Sequence, residues 1–104
     1  MIEITTPDRW LIMDFAGIEK KVFGVWMGGY LDGDSWKANS GITKCEVEGD
    51  YVLFHGKSGS IYKCRKNAYG TSEYGSTILK SIQEQQEVRV ISKEEAFAFY
   101  NIKE

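Results

Sequence analysis

The chain has 104 residues and contains one proline, one histidine and two cysteines. Two cysteines, Cys45 and Cys64, are too few for a disulfide framework, so both read as reduced thiols. A single histidine with no Cys-x-x-Cys pair falls short of the three or four ligands of a zinc site. No apolar run is long enough to cross a bilayer as a helix. The opening MIEITTPDRW lacks the basic segment and apolar stretch of a leader peptide. Together these absences predict a cytoplasmic protein without membrane contact, metal or cofactor. No charge dominates either. The net charge is -2, which gives no global basic excess of the kind nucleic-acid binders show.

Aromatic residues are what the chain does have. Three Trp, six Tyr and five Phe stand in a composition of 42% hydrophobic and 27% charged residues. Rings bury much area each, which helps a domain whose surface is large for its volume. The length suits one domain, residues 1–104. With so little proline, turns fall mainly to the eleven glycines.

Hydrophobic alternation outlines the fold. Ile2 and Ile4 suggest a short opening strand ended by Pro7. RWLIMDF predicts a strand from Arg9 to Phe15, and KKVFGVWMGGYL a second one after a turn over Ala16–Lys20. Gly24 then sits mid-strand, against a bulky ring or at a bulge. Strands follow at 42–47, 51–55 and 60–65, separated by turn signals at Gly49-Asp50 and Lys57-Ser58-Gly59. A two-residue first turn sets Cys45 opposite Phe54 and Val47 opposite Val52. A three-residue second turn, with Gly59 left-handed, sets Phe54 opposite Tyr62 and Val52 opposite Cys64. Cys45, Val47, Val52, Phe54, Tyr62 and Cys64 then share one face, while Lys44, Glu46, His55, Lys63 and Arg65 share the other.

STILKSIQEQQ predicts a helix over 77–85 capped by Ser76. EVRVI predicts a strand over 87–91. Ser92 and Glu95 form a capping-box pattern that opens a short C-terminal helix. The expected architecture is α+β: an antiparallel sheet of five or six strands around the 42–65 meander, with two short helices in the C-terminal half. It would form a sandwich or a partly closed barrel.

Catalytic and metal motifs fail on spacing. Asp32 and Asp34 flank Gly33, but the twelfth residue from Asp32 is Thr43, where a calcium loop needs Glu. HGKSGS has neither the spacing of a phosphate loop nor a following helix. It also lacks the strand–turn–helix context of a nucleophile elbow.

Two glycine-rich stretches carry rings: GGYLDGDSWKANSG over 28–41 and NAYGTSEYGS over 67–76. Tyr and Trp with Gly, Ser and Asn is a composition that binding loops use. Rings in such loops also fold down to cap small cores, and the sequence leaves both outcomes open. Tyr30, Asp32, Asp34, Trp36, Asn39, Tyr69, Glu73 and Tyr74 are the candidate partner-binding residues, with Ser40, Thr71 and Ser72 beside them. Small acidic domains with aromatic loops plug a partner's groove in toxin antidotes, immunity proteins and phage-encoded inhibitors. The expected function is therefore a protein-binding inhibitor, antidote or adaptor acting by steric occlusion.

Charge is unevenly distributed, and this keeps a second reading alive. Acidic residues outnumber basic ones over 1–56, and the balance reverses over 57–104. Lys57, Lys63, Arg65 and Lys66 form a basic stripe that could meet the phosphates of a nucleotide or oligonucleotide while a Tyr stacks on a base. A third reading is a small enzyme with a loop-built site using a carboxylate or His55. An unpaired sheet edge would also allow homo-oligomers by strand pairing.

Overall fold

The computed structural model describes residues 2–28 and 33–104. Its strands are β1 (Ile4–Thr5), β2 (Arg9–Phe15), β3 (Glu19–Met27), β4 (Asp34–Ala38), β5 (Ile42–Glu48), β6 (Tyr51–Gly56), β7 (Ile61–Arg65) and β8 (Val88–Val90). A 3₁₀ turn spans Lys66–Ala68, and the helices are α1 (Glu73–Gln85) and α2 (Lys93–Phe99).

The class is α+β, as expected, but the sheets are not closed into a barrel and the strands are not gathered in one sheet of five or six. They form two open four-stranded sheets, ordered β1-β7-β6-β5 and β4-β3-β2-β8. Two features divide them. The stretch 34–38, expected as loop, is an edge strand antiparallel to β3. The chain then turns at Asn39–Gly41 and starts the other sheet at Ile42. The opening strand β1 joins that second sheet parallel to β7, pairing Ile4 with Ile61.

The 42–65 meander has the register its turns imply. Cys45 faces Phe54, Val47 faces Val52, Phe54 faces Tyr62 and Val52 faces Cys64. Gly49 and Gly59 both have positive φ, at 61° and 94°, as the tight turns require.

β2 explains the unbroken apolar run WLIM. Its side chains alternate across the sheet, and both faces are covered. Trp10 and Ile12, with Val22 of β3, pack against Val52, Phe54, Tyr62 and Cys64 of the other sheet and against Phe97 of α2. Leu11 and Met13, with Phe23 and Val25, pack beneath Leu79, Ile78 and Ile82 of α1. Trp10 is at the centre of the first cluster: fully buried, ringed by Phe54, Tyr69 and Phe97, with Nε1 donating to the Arg65 carbonyl at 2.6 Å. Gly24 lies opposite Trp10 without a bulge. A Cβ there would come within 2.9 Å of Pro7, so the glycine admits the proline ring.

The first helix starts four residues earlier than the sequence suggests. Its cap is Ser72, whose Oγ accepts the Gly75 N–H at 3.1 Å, in place of Ser76. Gly75 reads as a loop residue, but a Cβ there would meet Val25 at 2.9 Å. The Thr71 side chain stands closer still, so the glycine makes room both for Thr71 before the helix and for β3. The capping pattern at Ser92 holds, with its Oγ accepting the Glu95 N–H at 3.1 Å.

Candidate functional site

The candidate residues separate into those that hold the fold and those that face solvent. Asn39 is buried, and its side-chain carbonyl accepts the N–H groups of Val22 at 3.0 Å and Gly41 at 3.3 Å. It pins the crossing between the two sheets. Tyr69 also turns inward: its hydroxyl donates to the Ile91 carbonyl at 2.7 Å and accepts the Ile12 N–H at 3.1 Å. Its ring stands edge-on to Trp10 at 4.8 Å. Burial pushes its hydroxyl pKa up to about 12. Asn39 is buried, and Tyr69 is half-buried with its hydroxyl committed to the interior. Tyr30 and Asp32 lie outside the described residues.

Asp34 and Trp36 lie on β4, an edge strand. Trp36 pairs with Val25 and Asp34 with Met27, so both project from the face that carries Phe23 and Val25. The Trp36 ring stacks on Phe23 at 5.5 Å and 22° and remains 38% exposed. Phe23 itself is fully buried, so it fixes the tryptophan from beneath. Met27, 46% exposed, adds apolar surface on the same face. The first turn of α1 reaches this neighbourhood through the Gly75–Val25 contact. Glu73 there is exposed and Tyr74 half-buried. One face of β3 and β4 thus carries Trp36 and Met27 with the carboxylate of Asp34, while Glu73 and Tyr74 belong to the first turn of α1. Met27 was not a candidate from the sequence. The signal for it is its alternation with Val25 and Phe23, which becomes readable only once β4 is recognised as a strand.

The basic stripe divides. Lys57, in the β6–β7 turn, is ion-paired with Glu19, whose carboxyl pKa is lowered chiefly by that hydrogen bond. Lys63 and Arg65 are at the other end of β7, facing Leu53 and Tyr51 on β6. Lys63 Nζ lies 4.6 Å from the centre of the Tyr51 ring and 4.0 Å from Glu48. Arg65 and Lys66 line an open cleft of about 490 Å³ with Asp50, Tyr51, Asn67 and Lys93. Among the described residues they have no ion-pair partner. Lys93 lines the cleft from α2, a neighbour that spacing along the chain does not reveal, and is ion-paired at 2.5 Å with Glu104, which lines the cleft too.

His55 points away from both cysteines and bonds Glu46 at 2.7 Å. Cys64 is buried, and Cys45 half-buried with its thiol pKa pushed up to about 11 by burial and by Glu46. Among the described residues no group of three or more His, Cys, Asp or Glu is placed to hold a metal, and no helix is long and apolar enough to cross a membrane. Comparison with protein-family models, curated proteins and solved structures finds no match to this chain.

Proposed function

We propose that the protein is a non-enzymatic binding domain for another protein, acting as an inhibitor, antidote or adaptor by occluding its partner's surface. The observation that carries this reading is Trp36: a large ring on an edge strand, open to solvent and stacked on a buried Phe23. A ring already fixed in place loses little freedom on binding, which is what a hot-spot anchor needs. Asp34, two residues away on the same strand, favours a partner with a basic rim, steering approach more than adding affinity. Affinity purification from the protein's own cells tests the reading. The expected result is one stoichiometric protein retained by the native chain and lost with Trp36→Ala, while Lys66→Ala retains it. Equal retention by both variants overturns it.

A second reading rests on the cleft beside Tyr51, where Arg65 and Lys66 stand without carboxylate partners. It would take a phosphate-bearing ligand, a nucleotide or oligonucleotide. Binding there weakens steeply with salt and is lost with Arg65→Ala, whereas binding at the Trp36 surface weakens only modestly with salt and is indifferent to Arg65→Ala.

A further inference from the structure

The outer edge of β5 is the longest exposed strand edge in its sheet. β5 spans seven residues, Ile42–Glu48, and ends the order β1-β7-β6-β5. Among the described residues no strand pairs with its outer side. Three of the large apolar side chains left in solvent cluster around it. Val47 is 47% exposed on the strand itself, and Ile18 (89%) and Phe99 (62%) border an open cleft of about 430 Å³ beside Ile42–Cys45. Unpaired edges with apolar neighbours attract another strand.

We propose that this edge pairs antiparallel with the same edge of a second copy, with Cys45 on the two-fold axis. Symmetry restricts the choice. A two-fold axis perpendicular to the sheet keeps side chains on their own face, so only registers centred on a residue are allowed. Centring on Lys44 sets Lys44 against Lys44, and centring on Glu46 sets Lys44 against Glu48 on either side but Glu46 against Glu46 on the axis. A Val47 centre opposes Glu46 to Glu48, and a Thr43 centre pairs no charges. The Cys45 register alone places Lys44 opposite the partner's Glu46, twice by symmetry. Like charges directly opposite destabilise a strand pair, and unlike charges support it. A lysine on an edge strand normally discourages pairing; within one copy Lys44 already lies 3.3 Å from Glu46, which also bonds His55 at 2.7 Å, and the Cys45 register lets the same two side chains pair across the axis as well.

The same register sets the partner's Val47 opposite Thr43, at the mouth of the cleft bordered by Ile18 and Phe99. The irregularity between Ile42 and Lys44 leaves Lys44–Glu48 as the regular part of the edge, and that part holds the whole charged set. Pairing would join two four-stranded sheets into one of eight strands. β4 is in the other sheet and takes no part, so the dimer stands or falls independently of the Trp36 surface.

Sedimentation equilibrium of the intact, reduced protein tests the proposal. The expected result is a reversible dimer that Lys44→Glu or Glu46→Lys each weakens roughly tenfold. The double variant Lys44→Glu, Glu46→Lys restores it. Both side chains are well exposed, and melting curves check that each variant folds. Disulfide trapping on the otherwise native chain is the independent readout. Opposed residues in an antiparallel pair have Cα atoms about 4.5–5.5 Å apart, within disulfide reach. Diamide, taking up the two hydrogens of two Cys45 thiols, is expected to give a covalent dimer that Cys45→Ser abolishes and Cys64→Ser does not. A monomer at all concentrations, a dimer indifferent to charge reversal, or no Cys45-dependent cross-link overturns it.

Discussion

Ala16 has φ of 57°, beside Gly17 at 74°, in the turn between β2 and β3. Two successive left-handed residues suit the mirror-image hairpin turns, and Asp14 supports them by accepting the Gly17 N–H at 3.0 Å. A Cβ is strained at such an angle, so Ala16→Gly is expected to stabilise the fold by about 1 kcal/mol in urea melts. Tyr69 makes the opposite case. Replacing it with Phe keeps the ring but strands the Ile12 N–H and the Ile91 carbonyl, which is expected to cost about 1–3 kcal/mol. The sequence shows why Tyr69 resembles a binding residue: it sits among Gly, Thr and Ser, and only the neighbouring Trp10 reveals that the ring points inward.

Elements were legible where pattern and turn chemistry agreed. The β5–β6–β7 meander could be registered in advance because Gly49 and Gly59 fix the loop lengths, and loop length sets which residues oppose. β2 was bounded correctly because a buried strand is a dense apolar run. β4 was not legible. An edge strand needs only one apolar face, and DSWKA offers that face as Trp36 and Ala38 among residues of low strand propensity. The start of α1 was hidden by Gly75, which makes room for the Thr71 side chain and for Val25 of β3, a packing role that reads along the chain as a loop glycine. The cap at Ser72 is a checkable consequence. Ser72→Ala is expected to lose about 1 kcal/mol of stability by thermal melting, whereas Ser76→Ala, at the capping position the sequence suggested, changes it by less than half as much.

For the whole molecule, burial sets the response to alkali. Burial raises the ionisation of Tyr69 from the ordinary 10 to about 12 and of Cys45 from 9 to about 11, and that of Tyr100 and Cys64 upward as well. The unfolded chain releases these protons first. Their stabilising contribution is therefore full below about pH 9 and is lost as pH rises toward 12. Melting temperature is expected to be level from pH 7 to 8.5 and to fall above it, with a shallower fall in Tyr69→Phe. The two-sheet division could not be read along the chain. It depends on β1 reaching β7 across most of the sequence and on Asn39 tying the sheets at their crossing. The candidate surface follows from the same division, because β4 becomes an edge only when the sheets separate.

The central claim is that Trp36 is the anchor of a protein-binding surface, and its three-tryptophan background makes a direct measurement available. Trp10 is buried, Trp26 half-buried with Nε1 donating to the Thr6 carbonyl, and Trp36 exposed. Fluorotryptophan-labelled protein gives one ¹⁹F resonance for each. On adding the partner captured by affinity purification, the Trp36 resonance is expected to shift and lose its solvent isotope effect, while Trp10 stays in place. A complex that forms with the Trp36 resonance unmoved would contradict the account.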